Sequence, residues 1–153
     1  MSLQLLPSAL LAPIRIGRQN SGDAGWDIVQ MLVAHGADIN QRDAGGGTAL
    51  LSARDVRVVR FLVEWGADVN AVDRECTTAL HVAAARGDQE KAELLISHGA
   101  DVNPIDVFGR TPLDCSLMTE EHGMATLLRQ NGAVRGPGTG KPLWASPLAG
   151  RAE

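Results

Sequence analysis

Residues 78–103 read TALHVAAARGDQEKAELLISHGADVN, and this stretch decides the fold of the chain. It opens with Thr78, is divided by Gly87, and carries an apolar run with helical spacing up to Gly99. Threonine satisfies the open N–H groups at a helix start, and glycine readily adopts the left-handed conformation that ends a helix. The stretch therefore predicts two short helices joined by a tight turn.

Three other segments repeat this pattern in register. The closing glycines, Gly36, Gly66, Gly99 and Gly132, lie 30, 33 and 33 residues apart, and a threonine follows at positions 48, 78 and 111. One helix pair cannot cover its own apolar face, so neighbouring copies must stack. The residues that helical spacing assigns to those faces are Ile28, Val29, Met31, Leu32 and Val33; Val58, Val59, Phe61, Leu62 and Val63; Ala92, Leu94, Leu95 and Ile96; and Met124, Ala125, Leu127 and Leu128.

These residues resemble the ankyrin-repeat family, whose repeat is known for T-P-L-H, a central glycine, an apolar run and a closing G-A-D-V-N. The resemblance covers about residues 8–134. It implies an all-α solenoid of about four helix-turn-helix repeats with short β-hairpin fingers. We expect an array over residues 1–134, with repeats at about 8–40, 41–70, 71–103 and 104–134, followed by a flexible Gly/Pro-rich tail over 135–153.

Two copies depart from the pattern in length. Repeat two is three residues short and lacks a counterpart of Gly87, so we expect a first helix of about two turns and a second helix capped by Asp55. Repeat one is longer, and its extra residues fall within 17–25, where Gly, Asn, Ser and Asp predict a loop between helices.

Two single positions also depart from it. Cys76 stands where the other fingers have Gly46 and Gly109, so the finger of repeat three is expected to differ in shape. The fourth copy closes with Gly-Ala-Val instead of Gly-Ala-Asp, which indicates that the array stops near Val134.

The composition narrows the class of protein. A net charge of −4 argues against a nucleic-acid binder. Two isolated cysteines, Cys76 and Cys115, provide neither a zinc ribbon nor a disulfide framework and favour a reducing compartment, so a cytoplasmic location is expected. No apolar run approaches the roughly 18 residues of a membrane span. The apolar stretch over 3–16 is interpreted as structural, with a targeting segment as the alternative.

The candidate catalytic and ligand-binding motifs lack residues that their chemistry requires. Residues 138–141, GTGK, resemble a phosphate-binding loop, but Arg135 replaces its first glycine and Pro142 its magnesium-binding hydroxyl. The resemblance implies that His81 holds a helix start, and the remaining histidines are interpreted as surface or structural residues. A stripe of Arg54, Arg57 and Arg60 is interpreted as a solvated face. We expect no catalytic residue, cofactor or metal.

The family resemblance implies that finger tips and first helices, lining a concave groove, bind a partner protein. Phe108 either faces the partner or folds back onto the neighbouring finger. Trp65 is expected to be exposed and to bind as well, because the same column, the position just before the closing glycine of each repeat, carries His or Asn in the other copies. The implied partner-binding positions are Arg42, Ala44, Trp65, Val72, Arg74, Glu75, Thr77, Ala85, Arg86, Val107, Phe108 and Arg110.

The sequence thus favours a protein–protein interaction module, an adaptor or scaffold with no enzymatic activity. A regulatory or inhibitory subunit of a larger complex is the alternative. The apolar residues that motivate it, and that could mediate association, are Leu3, Leu5, Leu6, Leu10 and Leu11. A nucleotide-dependent enzyme rests only on residues 138–141. No nucleic-acid or membrane partner is expected.

Overall fold

A computed structural model describes residues 24–137. Seven α-helices lie within that range, and none of its residues belongs to an extended strand. Contacts between residues divide the chain into two compact units, which meet in sequence at Arg74 and Glu75. The all-α solenoid expected from the repeats is confirmed.

The first unit contains α1 (Ala24–Ala34), α2 (Ala49–Ser52) and α3 (Val56–Glu64). Helix α2 has only four residues, so the expectation of two turns was wrong. Ala53 adopts extended dihedral angles (φ −62°, ψ 131°) and ends the helix before a second turn can form. Asp55 caps α3 as predicted, because its carboxylate accepts the Arg57 N–H at 2.9 Å.

Helix α1 starts at Ala24, so the predicted loop over 17–25 does not extend to its last two residues, and the rest of it lies outside the described range. Val29 is buried, but Met31 is 61% exposed, which corrects its assignment to the apolar face. Phe61 has the same position in α3 and is buried, with the Trp65 ring packed 5.3 Å from it. Met31 has His35 in place of that indole, so no aromatic ring covers it from the corresponding position.

The second unit contains α4 (Ala79–Arg86), α5 (Gln89–Ser97), α6 (Pro112–Met118) and α7 (His122–Gln130). The first helices α4 and α6 pack on each other, and each also packs on the second helix of its own repeat. Small alanines on α4 allow this close approach. The large apolar side chains that are fully buried between these helices are Leu80, Leu95, Met124 and Leu128.

Left-handed residues end the second helices and shape the turns. Gly36, Gly66, Gly99 and Gly132 have φ values of 86°, 93°, 87° and 85°, as the C-cap prediction requires. Glu120 occupies the turn position that Gly87 holds in repeat three and has φ 60° although it carries a side chain.

The fingers are tight turns rather than paired strands. An isolated antiparallel bridge joins Arg42 to Thr48. The Asp43 carboxylate accepts the N–H groups of Gly45 and Gly47 at 2.8 and 2.9 Å, which holds the turn without a ladder of backbone pairs. Cys76 has φ 59°, in the same left-handed region as the glycines at its position in the other fingers, so the prediction of a different backbone shape there was wrong.

Candidate functional site

The finger of repeat four is organised by a buried carboxylate. Asp106 is 2% exposed and accepts the N–H groups of Phe108 and Arg110, each at 2.9 Å. Its Oδ2 atom also lies 2.7 Å from both Nε and Nη2 of Arg110. The guanidinium is therefore fixed in place within its own finger.

Phe108 lies under that guanidinium. The central carbon of the Arg110 guanidinium is 4.5 Å from the centroid of the Phe108 ring, a cation–π arrangement, and the ring is half-buried. Burial alone would lower the pKa of Arg110, but the Asp106 carboxylate outweighs it and the pKa is raised. Neither alternative for Phe108 describes this arrangement fully, because the ring packs against Arg110 of its own finger.

Two neighbouring fingers are joined by backbone within the second unit. The Val107 N–H donates to the Glu75 carbonyl at 2.9 Å. Glu75 and Cys76 remain exposed, while Val107 and Thr77 are half-buried. This hydrogen bond holds the backbone of Glu75 in place, and the residue itself is exposed to solvent.

The fingers of the first unit are tied in a similar way. Arg42 Nη1 lies 2.6 Å from the Val72 carbonyl oxygen and 3.3 Å from that of Gly46. The Arg74 N–H donates to the Gly45 carbonyl at 3.1 Å. Arg42 therefore stabilises the pair of fingers through these two carbonyl contacts and is still exposed to solvent. Ala44 and Arg74 are exposed as well, and Val72 is half-buried.

Exposed residues lie at the ends of the two first helices of the second unit and in the finger of repeat four. Ala85 and Arg86 are exposed at the end of α4, as expected. Met118, in the position of Ala85 one repeat later, is 61% exposed, and Ile105, in the finger position of Val72, is 45% exposed. Both were missed from the sequence, although each stands in a column that had already been assigned to the partner-binding surface.

Trp65 is 57% exposed, as its column predicted. In the other three copies, the side chain in this position reaches the carbonyl oxygen four residues earlier: His35 to Met31 at 2.7 Å, His98 to Leu94 at 2.8 Å, and Asn131 to Leu127 at 2.8 Å. Trp65 instead packs on Phe61, with an angle of 33° between the rings. The histidines of this column therefore have a structural role.

His81 has the role that the resemblance implied. It is 2% exposed, and its Nδ1 accepts the Thr78 N–H at 3.2 Å. This acceptance places the ring proton on Nε2, which lies 3.0 Å from the Arg110 carbonyl oxygen in the next finger. Thr48, at the position of Thr78 in repeat two, is followed by Leu51 instead of a histidine, and its buried hydroxyl has no hydrogen-bond partner.

The remaining sequence motifs can be compared with the structure only where they lie within the described residues. Among residues 24–137 no cluster of three His, Cys, Asp or Glu side chains could hold a metal ion. No helix of that range has the length and apolar character to span a bilayer. Arg57 pairs with Asp55 at 2.8 Å, while Arg54 and Arg60 are exposed. The glycine-rich residues 138–141 and the apolar residues 3–16 lie outside the described range.

Comparisons with known proteins agree with this architecture. A family model for ankyrin repeats in three copies matches residues 56–135, and a model for a single ankyrin repeat matches residues 17–44. No curated protein matches the chain. Since the first match alone covers more than half of the 153 residues, and the helices and cap glycines recur as that repeat requires, the chain belongs to the ankyrin-repeat family.

Proposed function

We propose that this protein is a non-enzymatic adaptor or scaffold that binds a partner protein through its finger tips and the exposed ends of its first helices. Ankyrin repeats generally mediate protein–protein interaction. The observation that supports the proposal most directly is the finger of repeat four, where Phe108 and Arg110 form a rigid apolar and cationic surface and Ile105, earlier in the same finger segment, is exposed. Rigid aromatic and arginine side chains are favoured at interface hot spots, because little entropy is lost when they are bound.

The proposed surface has a part in each unit. In the second unit it comprises Glu75, Thr77, Ala85, Arg86, Val107, Phe108 and Arg110, and the structure adds Ile105 and Met118. In the first unit it comprises Arg42, Ala44, Trp65, Val72 and Arg74. The concave groove implied by the family resemblance is part of the same proposal.

Affinity purification of the full chain from a cell lysate, followed by mass spectrometry, tests the proposal in its first step. A partner identified in this way is then purified and titrated against Phe108→Ala, Met118→Ala and Trp65→Ala. Each variant is expected to weaken binding at least about tenfold, the effect of one lost hot-spot contact. Met31→Ala is the matched control, because Met31 is equally exposed but lies outside the proposed surface. Full affinity in all three variants would contradict the assignment.

A regulatory or inhibitory subunit of a larger complex would use the same surface. The apolar residues between positions 3 and 11 favour that role, because an end repeat normally turns a polar face outward. Light scattering of the purified chain, with and without the identified partner, separates the two roles. An adaptor is expected to be monomeric alone, whereas a subunit is expected to be recovered in a fixed complex.

The proposed location is the cytoplasm. Both cysteines are free, and Cys76 is exposed at a finger tip. An exposed thiol persists in a reducing compartment and is oxidised in a secretory one. Microscopy of the full chain carrying a fluorescent tag at its C-terminus checks this location.

A further inference from the structure

Positions 81 and 114 correspond to each other in repeats three and four, since each lies three residues after the threonine that caps a first helix. His81 accepts the N–H of its threonine and uses its Nε2 to hold the carbonyl of Arg110, in the finger of the following repeat. This residue therefore links one repeat to the next.

Asp114 has the same capping role, but the rest of its side chain accepts hydrogen bonds where the ring of His81 donates one. Its side chain is 3% exposed, and its Oδ2 accepts the Thr111 N–H at 3.1 Å, as His81 does for Thr78. An ionised carboxylate only accepts hydrogen bonds, and Asp114 accepts two more from the chain beyond the last helix. These come from Arg135 Nε at 3.0 Å and from the Gly136 N–H at 2.7 Å.

The neighbouring residue is held as well. The Val134 N–H donates to Asn103 Oδ1 at 2.8 Å, and Thr111 Oγ1 lies 2.8 Å from the Val134 carbonyl oxygen. Position 136 has no room for a side chain, because a Cβ atom there would collide with the Gly109 carbonyl oxygen. Residues 134–136 are thus attached at four points, three in repeat four and one at Asn103 of repeat three, and lie directly against the finger of repeat four.

We propose that Asp114, Arg135 and Gly136 form a C-terminal lock that takes the place of a fifth repeat. In repeat three, the ring N–H of His81 donates to the carbonyl of Arg110 in the finger of the next repeat. In repeat four, the Asp114 carboxylate lies at this position and would repel such a carbonyl. Arg135 and Gly136 donate to the carboxylate instead. The lock closes the end of the stack and keeps the segment after α7 against the finger of repeat four.

Amide hydrogen exchange of the full chain, followed by NMR, tests the lock. In the wild-type protein the amide of Gly136 is expected to exchange at least about tenfold more slowly than an unstructured amide, because opening must break a charge-assisted hydrogen bond. Arg135→Gln and Gly136→Ala are expected to remove most of this protection. Arg129→Gln, which changes an exposed arginine on α7, is the control and should leave it intact.

Asp114→His separates the lock from the helix cap. A histidine in this position can still accept the Thr111 N–H, as His81 does for Thr78, but it cannot accept from both Arg135 and Gly136. We expect protected amides at the start of α6 together with a released Gly136 amide. Gly136 exchanging at the rate of an unstructured peptide in the wild-type chain, or staying protected in Asp114→His, would overturn the proposal.

Discussion

The imidazole Nε2 of His81 lies 3.0 Å from the carbonyl oxygen of Arg110, so the residue that caps the first helix of repeat three also binds the finger of repeat four. His81→Ala leaves the buried Thr78 N–H and the Arg110 carbonyl without this partner and opens a cavity. We expect the free energy of unfolding to fall by about 3 kcal/mol. Urea denaturation followed by circular dichroism measures this. His98→Ala, which removes an exposed ring, should change it by less than about 1 kcal/mol.

Thr48 and Thr78 occupy the same cap position but differ in what their hydroxyls contact. Thr78 Oγ1 lies 3.0 Å from His81 Nδ1, whereas the buried hydroxyl of Thr48 has no partner. Thr78→Val is expected to destabilise the protein by about 1–2 kcal/mol, since it removes a working cap. Thr48→Val, which replaces an unsatisfied hydroxyl by a methyl group of similar size, is expected to be neutral or stabilising by up to about 1 kcal/mol. Equal losses in both variants, measured by urea denaturation, would contradict this.

The stability of the second unit should depend on the ionisation of Asp114. Burial alone would raise the pKa of Asp114, but hydrogen bonds from the backbone of Gly136 and Thr111 and from Arg135 outweigh it and hold the pKa below its usual value. A pKa that is depressed in the folded state contributes stability above the unfolded-state pKa, and this contribution is lost as the pH falls through the folded-state pKa. We therefore expect stability to fall as the pH drops below about 4.

Asp114→Asn is the matched variant for this pH dependence. Arg135 faces the carboxylate directly, and the charge of Asp114 in turn acts on the pKa of the neighbouring Cys115 thiol, together with those of Arg110 and Asp106. The variant should be less stable than the wild-type protein at neutral pH, and the difference should shrink as the pH falls below about 4. Thermal unfolding at a series of pH values measures both proteins, and a difference that stays constant down to pH 2 would exclude Asp114 as the source.

Glu120 carries a side chain in a left-handed turn that repeat three builds with Gly87. The same conformation strains a non-glycine residue by about 1 kcal/mol. Glu120→Gly should therefore leave the free energy of unfolding unchanged or raise it, and the thermal midpoint with it. The gain should not exceed about 1 kcal/mol, because glycine also gains entropy in the unfolded chain. Glu93→Gly places the same change within α5 and should lower stability by about 1 kcal/mol. Calorimetry of both variants distinguishes strain from a general effect of glycine.

The repeating glycines and threonines were enough to predict the helices, because each sets a local backbone conformation that depends little on its neighbours. The second helix of repeat two shows this well, since Asp55 and the buried face of Val58, Val59 and Phe61 all appear as expected. Met31 shows the limit. Its spacing is the same as that of Phe61, but whether such a side chain is covered depends on which residues lie next to it in space.

The candidate site was harder to predict because side-chain contacts within a finger do not follow from spacing. The sequence predicted Phe108 and Arg110 as partner-binding finger residues, yet it gave no sign that the guanidinium lies on the ring and is held by Asp106. Met118 was missed since a single methionine at a helix end is usually a core residue. Its equivalence to Ala85 becomes informative once the exposure of that column is known.

Asn40 and Asn103 each bind the loop of the following repeat through backbone atoms alone: the carbonyls of Gly66 and Gly132 at 3.2 and 3.1 Å, and the N–H groups of Asp68 and Val134 at 2.7 and 2.8 Å. The replacement of aspartate by Val134 therefore leaves the joint unchanged. The aspartates at this position in the other copies do have a contact of their own: Asp38, Asp68 and Asp101 each accept the N–H of the asparagine two residues later at 2.9 Å. They therefore help to place the asparagine that binds the next repeat, so selection can relax at Val134 but not at these three positions. An engineer could likewise diversify position 134, as a site for new chemistry on the outside of the protein, while the three aspartates are kept.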